Sequence, residues 1–323
     1  MLTTYDHQGT GLAKRDGMMP VTDATVWIDL LNPTAEEDAF VEKALGISVP
    51  TRAEMREIEA SNRLYQENGA HFLTAFIVYN VEAPVPLTTA LTFILAGARL
   101  VTVRYAEPKA FPLFLHRVEK GDLPCDSAPG IMIGLIEAII HREADLIEKI
   151  QDDVDRTAPI IFDIKGGQQT RTRRLDAILK AVGKQGDTNA RAQESALSLD
   201  RLLKYFLDIS RERKDDSRIH GRIETANRDV SSLMEHMRFL TQRIAFLLDA
   251  TLGMISTEQN QIIKLFTVAS VMLMPPTLIA SIYGMNFKHI PELEFILGYP
   301  MALGAMILSA LVPFIYFRRK GWL

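Results

Sequence analysis

Two long uncharged runs near the C-terminus constrain the fold more than any other feature of the sequence. They cover residues 265–287 and 295–317, and only residues 288–294 separate them. An uncharged run of about 20 residues is what a helix needs to cross about 30 Å of hydrocarbon. Two such runs joined by so short a link predict a transmembrane hairpin, so function is expected at a membrane.

The distribution of basic residues predicts the orientation of this hairpin. Residues 318–323 carry three basic side chains after the second run, and Lys264 precedes the first run. The link, residues 288–294, carries Glu292 and Glu294 against a single lysine. By the positive-inside rule, both termini are expected in the cytoplasm and the link outside.

The N-terminal part, residues 1–125, alternates strand and helix signals and is expected to be a cytoplasmic α/β domain with a mixed sheet. Thr34 and Glu37 form a capping box that opens a helix to about Leu45. Gly9 and Gly11 are expected to belong to a mobile terminus. A turn is predicted at residues 96–99. Strands are predicted at residues 25–31, 72–79, 91–95 and 100–105.

The following part is long, charged and helical. Residues 126–212 are expected to form a helical, coiled-coil hairpin, with a break near Gly183 and Gly186. Residues 213–264 are expected to be a long stalk helix that enters the membrane directly. A helix of about 60 residues would be roughly 90 Å long. No lone soluble domain buries such a helix, which therefore predicts a stalk or an oligomeric bundle.

Several classes of function are disfavoured by what the sequence contains. The formal net charge of −4 gives no reason to expect a nucleic-acid partner. The only cysteine, Cys125, excludes disulfides and cysteine-based metal sites within one chain. No phosphate-binding loop of the Gly-x4-Gly-Lys type and no His-x3-His pair occurs, so neither a nucleotide partner nor a zinc enzyme is expected. Residues 1–20 have no apolar signal region. The chain is not expected to be an enzyme.

A polar stripe follows one face of the first predicted span. Seven of its ten positions have polar side chains, and a 3-4 spacing keeps them on one face of a supercoiled helix. Small polar residues could simply help helices to pack. Because the stripe continues below the membrane, we favour a water-filled pore, which needs several copies around an axis. The positions are Ser281, Thr277, Met274, Ser270, Thr267, Ile263, Asn260, Ser256, Gly253 and Asp249.

Two prolines, Pro275 and Pro276, interrupt the helix that carries the stripe. Each removes an N–H group and frees a carbonyl one turn earlier, those of Val271 and Met272. Such carbonyls are tolerated where they face protein or a wet cavity. A simple kink is the favoured interpretation over ion coordination.

The C-terminal quarter, residues 249–323, contains five characteristic segments. They are Tyr283-Gly284-Met285-Asn286-Phe287, Pro291-Glu292-Leu293, residues 258–264, residues 275–280 and Arg319-Lys320-Gly321-Trp322-Leu323. In these segments the chain resembles the CorA family of magnesium transporters. The resemblance implies an α+β multi-domain protein that forms a homopentamer in the bacterial inner membrane. The first spans would line the pore, the second spans would form an outer ring, and the cytoplasmic domains and long helices would form a funnel.

The resemblance also implies roles for individual residues. Asn286 of Gly284-Met285-Asn286 would form a selectivity ring at the outer mouth, and Glu292 and Glu294 would attract cations to it. Met274 and Phe266 match constriction positions. The remaining predicted pore-lining residues are Asp249, Asn260, Thr267, Ser270, Thr277 and Ser281, of which Asn260 and Asp249, with Asn286, would contact the metal ion.

Magnesium is the expected cargo, with cobalt and nickel as further candidates. Because Mg²⁺ gives up its water reluctantly, neutral amide oxygens could accept hydrogen bonds from a hydrated ion without stripping it. The resemblance implies gating by intracellular Mg²⁺ bound between subunits through acidic residues. The candidates are Asp152, Asp153, Asp155, Glu224 and Asp229. Thr225 stands where some other members of the family have an acidic residue. Taken individually, each of the candidate acids also fits a helix face that is simply exposed to solvent.

Two alternatives to a magnesium transporter stay open at this point. One is a zinc transporter of the same superfamily. The other is a membrane-anchored coiled-coil scaffold or sensor, which would tolerate loss of the Asn286 amide.

Overall fold

The computed structural model describes all residues except 10, 58, 60, 61, 84, 122–124, 163–167, 287–295 and 323. The chain divides into two compact units: unit 1 comprises residues 1–162 and 180–248, and unit 2 comprises residues 163–179 and 249–323. The elements in chain order are β1 (Leu2–Gln8), β2 (Gly11–Asp16), β3 (Thr25–Leu31), α1 (Ala35–Leu45), a 3-10 turn (Glu54–Arg56), β4 (Leu64–Glu67), β5 (Ala70–Tyr79), β6 (Leu87–Ala96), β7 (Arg99–Arg104), α2 (Ala110–Glu119), α3 (Ala128–Phe162), α4 (Gln168–Glu212), α5 (Ser217–Tyr283) and α6 (Gly298–Arg319).

The described strands form one seven-stranded sheet in unit 1, in the order β2-β1-β3-β7-β6-β5-β4. β3 and β7 are parallel, and the other neighbouring pairs are antiparallel. The prediction of a mixed sheet is therefore confirmed. The four strands predicted from the sequence correspond to β3, β5, β6 and β7.

The N-terminal segment differs from its prediction. Instead of a mobile terminus, β1 and β2 pair from Thr3 opposite Asp16 to Gln8 opposite Gly11. The polar side chains of this hairpin bond to one another, as the Arg15 guanidinium does to the Asp6 carboxylate at 2.7 Å. Thr3 and Thr4, which point to opposite faces of β1, are both buried. The apolar alternation that marks a strand is therefore hidden in the sequence.

The cap of α1 and the turn before β7 form where the sequence predicts them, and a further turn forms before β5. Thr34 caps α1, and the reciprocal bonds of the capping box with Glu37 are both present. Asn68 and Gly69, both with positive φ, make a two-residue turn between β4 and β5. Gly97 has a φ of 59° in the predicted turn between β6 and β7. A side chain at these glycines would strain the backbone.

A buried polar network joins the two parallel strands. The Trp27 indole N–H donates to the Thr102 hydroxyl at 2.9 Å, which itself donates to the Asp29 carboxylate at 2.7 Å. The Arg104 guanidinium donates to both oxygens of Asp29, at 2.7 Å for the shortest bond, and lies 4.3 Å from the centre of the Phe111 ring. A charge pair this deep stabilises only because each member is hydrogen-bonded.

α4 bonds to the part of β5 that extends beyond its pairing with β4. The backbone N–H groups of Phe76 and Val78 donate to the hydroxyls of Ser198 and Ser195, at 2.9 and 3.2 Å. Ser195 in turn donates to the carboxyl of Glu143 on α3, which is 1% exposed. Burial raises the pKa of Glu143 to about 8, so this carboxyl is largely protonated at neutral pH.

The long helices are continuous. α5 runs for 67 residues through Pro275 and Pro276, which confirms the prediction of one helix longer than 50 residues. α4 continues through Gly183 and Gly186, so the expected break is absent. In unit 1, α5 is held to α3 by a two-pronged bond from Arg222 to Glu137, at 2.9 and 2.8 Å.

Two helices are long and apolar enough to cross a membrane. They are the C-terminal part of α5 and the whole of α6. Almost none of the residues in these two apolar stretches are buried within the chain. Such surfaces are stable against lipid or against other copies of the chain rather than in water.

Candidate ion pathway

The predicted pore-lining residues share one face of α5. On a helix with 3.6 residues per turn they fall within an arc of about 120°, with Phe266 at one edge and Asn260 at the other. All of them are exposed, Phe266 and Met274 by 69% and 71%. The eight residues, all in unit 2, are Asp249, Asn260, Phe266, Thr267, Ser270, Met274, Thr277 and Ser281.

The two threonine hydroxyls of the predicted pore-lining face have their protons bonded within the helix. Thr267 donates to the carbonyl oxygen of Ile263 at 2.8 Å, and Thr277 donates to that of Leu273 at 2.7 Å. Such back-bonding lowers the cost of placing a hydroxyl in an apolar region. Since the proton is engaged, each oxygen presents only acceptor lone pairs outward, which suits a cation or its hydration water.

Pro275 and Pro276 lie inside α5 beside Thr277 and are half-buried. Neither can donate to the carbonyl four residues earlier, at Val271 or Met272. The helix nevertheless continues to Tyr283, so the prolines do not end it.

The C-terminal end of the stripe is followed by a turn after α5. The Gly284 N–H donates to the carbonyl oxygen of Ala280 at 3.0 Å, and Asn286 is exposed. A Cβ at Gly284 would lie 3.2 Å from that same oxygen, which is tighter than ordinary contact. Close approach at the helix end, rather than a positive φ, is thus what favours glycine here. Phe287, Glu292 and Glu294 lie outside the described residues.

The start of the apolar part of α5 and the end of α6 meet in unit 2. The Lys264 ammonium lies 5.7 Å from the centre of the Trp322 ring, and the Lys320 ammonium lies 5.7 Å from it as well. Trp322 also stacks on Phe317, with ring centres 5.3 Å apart. Because Lys264 precedes one apolar stretch and Trp322 follows the other, these two ends lie side by side, as in a hairpin. Aromatic rings and basic residues are favoured at a membrane interface.

Sequence reasoning missed one neighbour of the stripe. Glu258, two residues before Asn260, is 8% exposed and lies 3.9 Å from the Arg171 guanidinium of α4. The sequence indicates this pairing only through the opposite charges of the two residues, because Arg171 and Glu258 lie far apart along the chain. Glu258 therefore holds α5 against α4 and does not belong to the exposed, predicted pore-lining face of α5.

The predicted metal contacts are not brought together within one chain. Asp249 and Asn260 are separated by about 16 Å along the helix, and Asn286 lies beyond the helix end. Among the described residues, no group of three or more His, Cys, Asp or Glu side chains could hold a metal ion. At each of these three positions along the helix axis, one chain thus offers a single oxygen-bearing side chain. A complete metal site would need the same side chain from further chains.

The candidate regulatory acids divide into two groups. Three are engaged by arginines: Asp153 by Arg156, Asp155 by Arg243 and Glu224 by Arg211, at 2.5, 2.5 and 3.2 Å. Asp152 and Asp229 are exposed and take part in no ion pair within the described residues. Thr225 donates to the carbonyl oxygen of Gly221 at 2.8 Å. Asp152 and Asp229 are therefore the acids best able to meet a cation.

Comparison with known proteins gives the family. The model of the family described as CorA-like Mg²⁺ transporter protein matches residues 22–319. The magnesium transport protein CorA of Pasteurella multocida is 36% identical over 301 residues, covering 93% of each chain, and that of Haemophilus influenzae is 34% identical over 323 residues, covering 100% of each. The complete structure of the CorA magnesium transporter from Methanocaldococcus jannaschii aligns with 100% of this chain and 99% of its own, with a TM-score of 0.68 at 18% identity. The chain belongs to the CorA family of Mg²⁺ transporters.

Proposed function

We propose that this chain forms a channel-like pore through which Mg²⁺ enters the cell down its electrochemical gradient. The observation that carries the proposal is the continuous exposed stripe on α5, which runs from the polar half of the helix into the apolar half. Five copies around an axis, in the bacterial inner membrane, would place this stripe on the inside. The outward faces of α5 and α6 would meet lipid or one another.

The driving force needs no nucleotide. A divalent ion gains about 4.6 kcal/mol per 100 mV of inside-negative potential, twice the value for a single charge. The cluster of Lys264, Lys320 and Trp322 supports an orientation with this end and both termini in the cytoplasm. Glu292 and Glu294 would then raise the cation concentration at the outer mouth.

The proposed filter is the ring of Asn286 amides. A neutral amide oxygen accepts hydrogen bonds from the water around Mg²⁺ and leaves that water in place. A carboxylate would hold the ion more tightly and slow its release. Cobalt and nickel ions are proposed as competing cargo. The relatives described above are named magnesium transport proteins, which does not favour the zinc alternative.

Flux into proteoliposomes tests the pore. Asn286→Ala should abolish Mg²⁺ uptake, whereas a scaffold or sensor would show no protein-dependent uptake in either form. Asn260→Ala and Gln261→Ala form a matched pair one residue apart, because Asn260 lies within the 120° arc and Gln261 lies outside it. We expect altered flux only for Asn260→Ala. Equal effects of the pair would exclude the stripe as the pore wall.

We further propose that intracellular Mg²⁺ closes the pore by binding between subunits at Asp152 and Asp229. Mg²⁺ prefers oxygen ligands, and carboxylates from two neighbouring chains would together supply more of them at one site than a single chain does. Millimolar Mg²⁺ should protect the wild-type cytoplasmic part from protease, and Asp152→Asn with Asp229→Asn should reduce that protection. Glu148→Gln, at an exposed acid on α3, is the control. Protection that Mg²⁺ leaves unchanged in the wild type would count against the proposal.

A further inference from the structure

A basic cavity lies in unit 1. It has a volume of about 250 Å³ and opens between the 3-10 turn, β5 and α4. The residues that determine its chemistry are Arg56, Arg63, Phe76, Glu194, Ser198 and Arg201. Neither the proposed pore nor the proposed regulatory acids use any of these side chains.

One of its three arginines is held in place by its surroundings. Arg63 is 9% exposed, and its guanidinium lies 5.3 Å from the centre of the Phe76 ring. Burial and, to a lesser extent, the charge of Arg201 lower the pKa of Arg63, against the opposing effect of Glu194. A guanidinium fixed against an aromatic ring loses little further side-chain entropy when it binds a ligand.

The charges around the cavity do not balance. Three arginines face one carboxylate, that of Glu194, which leaves a formal charge of +2. Arg56 and Arg201 are exposed and form no ion pair within the described residues. A cavity with this excess of positive charge favours an anionic ligand.

A buried hydroxyl adds a neutral donor to the cavity. Ser198 is 8% exposed and accepts a hydrogen bond from the Phe76 N–H at 2.9 Å. Among the described residues, its own proton has no hydrogen-bond acceptor. It can therefore donate to a ligand in the cavity, next to the three guanidinium groups.

We propose that this cavity binds a phosphate group, either free or as the monoester of a small metabolite. A phosphate dianion matches the charge of +2 and offers three acceptor oxygens to forked guanidinium donors. Binding would join the segment before β4 to α4 and so stabilise unit 1.

Calorimetry on the full-length chain in detergent, without added metal, tests this proposal. Inorganic phosphate and AMP are titrated separately, so that free phosphate and a phosphomonoester are distinguished, and citrate serves as a carboxylate probe. We expect binding of phosphate or AMP and a rise in the thermal unfolding temperature. Arg201→Gln and Arg56→Gln should each weaken binding by about tenfold or more, as expected for a lost charged hydrogen bond.

Arg191→Gln is the matched control, because Arg191 lies on α4 ten residues before Arg201 and pairs with Asp187 at 3.0 Å. It should bind like the wild type. Both test positions are on the surface, so circular dichroism should show folded variants. The proposal is wrong if phosphate and AMP both fail to bind at millimolar concentration, if both test variants bind as the wild type does, or if citrate binds more tightly. None of these outcomes depends on transport.

Discussion

Replacing Glu143 by glutamine should stabilise the chain, and by more as the pH rises. The carboxyl of Glu143 is 1% exposed and accepts a hydrogen bond from Ser195, and its second oxygen has no partner within the described residues. Glutamine has the same shape, keeps the acceptor for Ser195 and carries no titratable proton. At low pH the two side chains are therefore nearly equivalent.

The expected magnitude follows from the pKa of Glu143, which burial raises from 4.5 to about 8. Between these values the folded chain holds a proton that the unfolded chain has released, so stability falls as the pH rises through this window. The loss is about 3 kcal/mol at pH 7 and levels off near 5 kcal/mol above pH 8, at 1.36 kcal/mol per pH unit. Glu143→Gln removes this loss.

Thermal unfolding of the full-length chain in detergent, at pH 5 and at pH 8, measures the effect. At pH 8 the expected gain is about 4 kcal/mol, which corresponds to roughly 8–16 °C for a unit of this size. We expect a difference of that order at pH 8 and a small one at pH 5. Glu148→Gln, at an exposed acid on the same helix, should show no such pH dependence. An equal difference between Glu143→Gln and wild type at both pH values would refute the reasoning.

Two further predictions concern packing in unit 1. A Cβ at Gly134 would lie 2.5 Å from the buried Phe114 ring, so Gly134→Ala should destabilise the chain by about 1–3 kcal/mol. Gly183→Ala, at a helical glycine with nothing within 4 Å of its Cβ position, should instead raise the unfolding temperature. If both variants were less stable than the wild type, the clash with Phe114 would not be the cause of the loss at Gly134. Arg104→Met leaves Asp29 buried without its partner and should cost about 3–5 kcal/mol in urea unfolding. Arg218→Met breaks an exposed pair with Asp216 and should change little; equal losses would mean that burial is not the cause.

Features with a local physical cause were predictable from the sequence. The capping box at Thr34, the turn at Gly97 and the length of α5 each depend on residues within a few positions of one another. The order of strands was not predictable, because β3 pairs with β7 across more than 70 residues. Nothing in the sequence of β3 indicates that β7 is its partner, since the two strands share only an apolar pattern. The first hairpin was missed because two adjacent buried positions of β1 are threonines, Thr3 and Thr4, rather than apolar residues.

The stripe and Glu143 show the same limit at single residues. The stripe was visible because its residues repeat along one helix, and their exposure in unit 2 agrees with that pattern. Glu143 looks like an ordinary solvated acid among the charges of α3. Its spacing of four from Ile139 and three to Leu146 places it on the apolar face, and that was the available signal. Its partner Ser195 comes from α4, which no local pattern could indicate.

The chemistry of the stripe bears on how a pore could pass Mg²⁺ without trapping it. Each chain supplies a carboxylate only at Asp249, while the levels above it offer amides and hydroxyls whose protons, at Thr267 and Thr277, are already engaged. Neutral acceptors attract the water around a cation more weakly than carboxylates attract the cation itself. In the proposed pentamer, ions would therefore bind weakly at several successive levels, as conduction requires. A stripe richer in acids would bind more tightly and conduct more slowly, so Thr277→Asp should lower Mg²⁺ flux in proteoliposomes and raise Mg²⁺ affinity. Higher flux in that variant would show that ion entry, rather than release, limits transport.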